Sequence, residues 1–278
     1  SGGLTADGKL EVWTHRVVAP SILFGQMFKY PVPLKDKLDI VALEGAKNIS
    51  YAVPNILVEY KSANTAVPVG WWRSVYDSQN AYANECFIDE LAESAGQDPL
   101  QFRLAYLGGS PRDTRVLKMV AKKVNWGRKL SAGRSQGLAC HASFKSHVAQ
   151  VAEVSVNNKG VVQVHRVVCA IDCGQVVNPS IVRSQIESSI VYGLSAALKG
   201  EITIENGGVV QGNFHEFEVL RFHEMPKIEV YIVNSDEHPG GVGEPGLPPI
   251  APAIANAVFS ATGKRIRKLP IKPEDLRS

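Results

Sequence analysis

A chain of 278 residues, 45% hydrophobic and 21% charged, has the composition of a globular protein with a full core. Its net charge of +3, without a dominant Lys/Arg block, argues against nucleic acid or an anionic membrane as partner, and no apolar run reaches the roughly 18 residues of a membrane span. Four cysteines in a chain this long argue against a disulfide scaffold.

The chain starts Ser1-Gly2-Gly3, without Met and without a signal-peptide pattern, and reads as an expression scar or a cut from something longer, so no compartment is read from it. The first stretch, to about Ser74, is strand-like: Leu10-Glu11-Val12-Trp13-Thr14-His15 alternates and Ile56-Leu57-Val58-Glu59-Tyr60 is apolar and β-branched. Pro31, Pro33, Pro54 and Pro68 would interrupt any long helix there. From Asp77 to about Asn125 the pattern is helical. Asp77 is placed to cap a helix with apolar positions Ala81, Ile88, Leu91, Ala92 and Ala95 and Gly96 as its stop. Asp98-Pro99 opens a second helix, and Asp113 marks a third.

The remaining stretch mixes the two periods. Val148 to Val156 and Val161 to Ile171 are β-rich around the hairpin signal Asn157-Asn158-Lys159-Gly160. Asn178-Pro179 opens a helix. Glu201 to Ile204 and Val209 to Gln211 flank Asn206-Gly207-Gly208 as a second hairpin, Ile228 to Val233 is a strand, and a last helix runs from about Pro252 to Thr262. Lys264-Arg265-Ile266-Arg267-Lys268 reads as its solvated end. The fold class is α+β, mixed sheets with packed helices, divided as a strand-then-helix region 1–135 and a C-terminal α+β domain 136–278.

Three places carry chemistry that packing alone leaves unused. Pro239-Gly240-Gly241-Val242-Gly243-Glu244-Pro245-Gly246 sets one carboxylate in a loop whose glycines allow positive φ and close backbone approach by another group, while Pro245 restricts Glu244. A positioned acid there can act as a general base; the plain alternative is an exposed turn. In the helix after Asn178-Pro179, Gln185 falls beside the apolar positions Val182, Ile186 and Ile190, where a buried amide needs a ligand or a neighbouring backbone as partner. Val69-Gly70-Trp71-Trp72-Arg73-Ser74 either frames an anionic ligand or sinks its tryptophans into the core. Cys169 and Cys173, four apart, fit neither a zinc nor a redox spacing and read as core, although a dithiol redox role remains a distant alternative. No histidine pair has metal-ligand spacing; His141 and His147 stand six apart.

Taken together, these segments resemble a known family. Gly70-Trp71-Trp72-Arg73-Ser74-Val75, Phe87-Ile88-Asp89-Glu90-Leu91-Ala92, Gly96 to Arg103, Val148 to Val154, Arg166 to Gly174, Val177-Asn178-Pro179, Gly241 to Gly246 and Gly263 to Pro270 occur in the order seen in the molybdopterin-binding large subunit of the xanthine oxidase/aldehyde oxidase family, nearest the isoquinoline 1-oxidoreductase β-subunit type. The resemblance implies a molybdenum–pterin cofactor, in the cytosine dinucleotide form, with the metal held by the pterin's dithiolene and not by side chains. It implies Glu244 as the general base in hydroxylating an aldehyde or N-heterocycle with water-derived oxygen. It further implies Gln185 as a pterin contact, Trp72, Arg73 and Gly243 lining the cofactor site, and electron exit through iron–sulfur clusters on a partner. Ser188-Ser189 stand where the family carries small glycines, which implies crowding of the cofactor. The chain lacks the Gly-Gly-Gly-Phe-Gly and Met-Gly-Gln-Gly motifs of the subunit's other half and has no cysteine array for clusters, so it reads as a C-terminal part, inactive alone. The alternative is a non-catalytic assembly or binding module that keeps the fold.

Overall fold

The computed structural model describes residues 1–23, 39–63, 65, 67 and 69–277, so Pro31, Pro33 and Pro68 lie outside the described residues. Contacts divide the chain into two units, 1–109 and 110–278.

In the first unit β1 (Gly2–Leu4), β2 (Leu10–Ala19) and β3 (Asn55–Ser62) form a sheet in that order, β1 antiparallel and β3 parallel to β2. Trp13 on β2 is buried and meets Phe87 edge-on, with ring centroids 5.0 Å apart. Phe87 belongs to α1 (Val75–Ser94), which α2 (Pro99–Tyr106) follows. α1 starts earlier than Asp77: Ser74 takes the N-cap position in the left-handed region, and Asp77 sits in the first turn. The α2 start is as read, Asp98 Oδ1 accepting from the N–H groups of Leu100 and Gln101 at 3.0 Å. Arg103, wholly buried, joins the two helices: its Nε donates to Glu85 Oε2 at 3.0 Å, its Nη1 to Asp89 Oδ1 at 3.3 Å, and its Nη2 to the Glu85 carbonyl at 2.8 Å.

The second unit opens with α3 (Pro111–Val124). Its first residue is Pro111, not Asp113, which lies buried in the first turn and accepts from Ser110 Oγ at 2.6 Å. α3 packs on the following strands: β4 (Arg134–Ser143), β5 (Ser146–Val156) and β6 (Val162–Asp172). These pair antiparallel, and β9 (Lys227–Ile232) adds parallel to β6 after a crossover through α4 (Pro179–Leu198) and the short pair β7 (Ile204–Glu205) and β8 (Gly208–Val209). Every residue from Val148 to Val154 is buried, so both faces of β5 are covered, by helices that include α3 and α5 (Ile250–Thr262). α5 lies directly on β4: a Cβ at Gly137 would stand 2.1 Å from the Ala257 nitrogen. A short α6 (Pro273–Leu276) ends the chain.

Three readings are corrected here. β4 is an extra strand, and the second hairpin is much shorter than expected, leaving segment 201–225 largely outside regular structure. Lys264 to Lys268 are not a helix end, because Gly263 (φ +72°) closes α5 and the basic residues run on as irregular chain with Ile266 buried. Among the described residues, no helix is long and apolar enough to cross a membrane.

Candidate functional site

Segment 239–246 leads into α5 without a strand or helix of its own, so its backbone groups need partners elsewhere. They find them in three places. The Gly240 N–H donates to the Cys173 carbonyl at 2.9 Å, and the Gly241 N–H to the Phe144 carbonyl at 2.8 Å. The Gly241 carbonyl accepts from Ser146 Oγ at 2.6 Å, and the Gly246 carbonyl from Gln150 Nε2 at 2.7 Å. The Gly243 carbonyl lies 3.3 Å from Ser189 Oγ, whose hydroxyl also reaches the Gln185 carbonyl at 2.8 Å. Leu247 N–H closes a turn onto the Glu244 carbonyl at 3.0 Å.

Close approach, not positive φ, is what the loop's glycines supply; none of them has positive φ. A Cβ at Gly240 would stand 2.4 Å from Ser146 Oγ and 2.5 Å from the Lys145 carbonyl. One at Gly246 would meet Ile186 and Ser189 at 3.0 Å. Gly243 differs. Its nearest neighbour would be Gln185 Oε1 at 3.9 Å, ordinary contact distance. The loop therefore presses on β5 and α4 on both sides of Gly243 while leaving that residue room.

Glu244 is half-buried. Gln185 is exposed, which corrects the expectation of a buried amide beside the apolar face of α4; that face consists of Val182, Ile186 and Ile190, and Gln185 turns off it toward Gly243. Ser189 is wholly buried with its hydroxyl engaged, so it does not crowd an open site, and Ser188 is exposed. Thus Gln185, Gly243 and Glu244 come together in one unit. Trp72 and Arg73 belong to the other. There Trp71 and Trp72 are exposed, so they are not core, and Arg73 is partly buried. The chain after them is strained: Ser74 and Val75 have φ of 72° and 46°, the latter rare for a β-branched residue.

Sequence reading missed the residues behind the loop. The β4–β5 connection places Phe144 (φ 51°) and Lys145 (φ 63°) in the left-handed region without the usual Asn-Gly. Arg112 braces that turn, donating to the Lys145 carbonyl at 3.3 Å and to Asp172 Oδ1 at 2.7 Å. Burial opposes the Asp172 charge, but Arg112 and the Gly174 N–H hold its carboxyl below the usual range. Gln150, wholly buried within an apolar strand, was the one visible signal, since a buried amide must be satisfied.

The cysteines are core. All four are free and buried, and burial pushes the Cys169 thiol up to about 12 and raises Cys173. Among the described residues, no group of three or more His, Cys, Asp or Glu could hold a metal ion. A cavity of about 680 Å³ under segment 201–225, lined in part by Ser155, His165, Lys199 and Glu224, includes none of the site residues.

Known proteins resemble this chain in sequence and fold. The family model of the molybdopterin cofactor-binding domain matches residues 89–226. The chain is 37% identical over 229 residues to the β-subunit of isoquinoline 1-oxidoreductase from Brevundimonas diminuta, covering 81% of this chain and 29% of that protein. It is 33% identical over 308 aligned positions to a subunit of nicotinate dehydrogenase from Pseudomonas putida, covering all of this chain and 25% of that one. Quinoline 2-oxidoreductase from Pseudomonas putida 86 shares the fold at a TM-score of 0.82 and 12% identity, over 97% of this chain and 60% of that one. The chain thus spans under a third of the length of these two relatives it matches by sequence.

Proposed function

Because the chain belongs to the xanthine oxidase/aldehyde oxidase family of molybdopterin-binding subunits, we propose that it is the C-terminal cofactor-binding part of a molybdenum hydroxylase that oxidises an aldehyde or N-heterocycle with water-derived oxygen. The observation that carries the reading is that the exposed amide Gln185 stands beside Gly243, the residue next to the half-buried carboxylate Glu244.

The residues present fit a molybdenum–pterin group. An amide both donates and accepts, as the edge of a pterin requires, and that of Gln185 is exposed. Gln185 and Gly243 would hold the group from this unit. The group, in the cytosine dinucleotide form that the isoquinoline branch implies, would supply the two-electron redox chemistry. Glu244 takes the proton of the attacking oxygen onto its carboxylate, which raises that oxygen's nucleophilicity. The loop's fastening keeps the carboxylate from swinging away, so little orientation entropy is lost at the reacting geometry. The remaining N-terminal part of the subunit would complete the pocket, and an iron–sulfur partner would take the electrons.

The test is co-expression with an upstream region and an iron–sulfur subunit, followed by molybdenum analysis and a screen of aldehydes and N-heterocycles. The reading predicts stoichiometric molybdenum and turnover in the assembly, and little of either in this chain alone. An assembly that loads molybdenum yet turns over no member of either class would overturn it.

A further inference from the structure

The three side chains that reach the loop's carbonyls have a regularity that fold maintenance alone does not require. Ser146, Gln150 and Ser189 are each wholly buried, and they come from the start of β5, the middle of β5 and α4. Their polar atoms meet the carbonyls of Gly241, Gly246 and Gly243 respectively, which lie on both sides of Glu244. Gly241 and Gly246 accept short bonds of 2.6 and 2.7 Å. Since each acceptor is a carbonyl, the donor must be a hydroxyl or an amide NH₂, and the carbonyl of Gly246 fixes which way the Gln150 amide points.

We propose that Ser146, Gln150 and Ser189 are positioning residues that fix the backbone on both sides of Glu244, with Ser189 coupling that backbone to the Gln185 turn of α4. The proposal rests on Glu244 being the working carboxylate. Ser189 has one proton for two carbonyls, those of Gln185 at 2.8 Å and Gly243 at 3.3 Å, so its hydroxyl ties the residue carrying the amide to the residue beside the acid. A glycine at position 189 would leave that tie out. The serine therefore replaces space with a fastening, where the family resemblance implied crowding. Gln150 closes the far side. Its Oε1 has no hydrogen-bond partner, so the amide is retained at a desolvation cost that only its donor side offsets.

Hydrogen exchange and ¹⁵N relaxation on the 278-residue chain separate positioning from plain stability. Ser146→Ala should speed exchange of the Gly241 amide, and Ser189→Ala that of Leu247, by about tenfold, the factor one net hydrogen bond is worth. Both variants should add backbone motion at Gly243 and Glu244 while protection in β5 and β6 stays as in the parent. Ser195→Ala is the control: this hydroxyl, on the same helix as Ser189, serves the Val191 carbonyl and the Leu220 N–H, and the loop should not respond. If Ser189→Ala does not fold, Gln150→Met removes the donor at Gly246 and should give the same Leu247 signal. An unchanged loop, or exchange raised evenly through 110–278, overturns the proposal. Full turnover in a Glu244→Gln enzyme would instead sink the proposed function and leave these rates untouched.

Discussion

Two irregular segments of the second unit, 239–246 and 201–225, look alike in their secondary structure and differ in everything that holds them. The first has its carbonyls taken by buried Ser146, Gln150 and Ser189 and its Gly240 and Gly246 pressed against neighbouring chain. The second exposes Phe214 at 90% and Phe222 at 91%, and is tied down by Lys199 Nζ on Glu224 Oε1 at 2.6 Å, by Lys272 Nζ on Glu201 Oε2 at 2.6 Å and by Leu220 N–H on Ser195 Oγ at 3.0 Å. Lack of helix or strand therefore says little about rigidity. What matters is whether the backbone's polar groups are met by buried partners.

The sharpest way to break the contrast is to add a methyl group where the first segment has no room. Gly240→Ala places a Cβ against Ser146 Oγ and the Lys145 carbonyl, and should cost about 1–3 kcal/mol in chemical denaturation, as overpacking does. Gly208→Ala, whose Cβ would meet the Glu205 carbonyl at an ordinary 3.7 Å and whose backbone is outside the left-handed region, should change stability by no more than about 0.5 kcal/mol. Equal losses would mean that the pressed backbone is not what holds 239–246.

A second difference is chemical. The fastenings on 239–246 are hydroxyls and an amide, which do not titrate, whereas those on 201–225 include ion pairs, Lys199 with Glu224 and Lys272 with Glu201, each at 2.6 Å. The hydrogen bond from Lys199, and then the Arg221 N–H, hold the Glu224 carboxyl below its usual range. A depressed carboxylate stabilises fully above its unfolded pKa, about 4.3, and that contribution is lost as pH falls through the lower folded value. Limited proteolysis between pH 6 and pH 3 should therefore open 201–225 first, and Glu224→Gln should lessen the difference. Opening of 239–246 in the same window would contradict it.

The smallest effect sharpens the comparison from the other side. Phe214→Ser and Phe222→Ser should each change stability by no more than about 0.5 kcal/mol, because side chains this exposed lose no burial. A larger loss, read from Tm, would show the arm to be packed where it stands exposed.

How much of this was legible depends on the reach of each signal. Asp98-Pro99 and Asn178-Pro179 were readable because a cap bonds within three residues of itself, and the Asn157 to Gly160 turn for a similar local reason. Ser74 before α1, and Phe144-Lys145 between β4 and β5, were not, because positive φ at such residues is imposed by tertiary surroundings. β4 escaped because Arg134–Ser143 mixes Gly, Ala, Cys and His without a clear period of two. The acid of 239–246 stood out through its glycines, yet the reason assigned to them was half right: they give closeness, not φ. Ser146, Gln150 and Ser189 lie 54 to 96 positions from the carbonyls they reach, and no local pattern spans that distance.

The account stands on Glu244 taking a proton next to a bound molybdenum–pterin group. Glu244→Gln keeps the shape of the side chain and removes the base, so the measurement is kcat alongside molybdenum content in the assembled enzyme. Unchanged metal with kcat reduced by about 10²–10⁴-fold is the predicted result. Unchanged metal with parental kcat would contradict it.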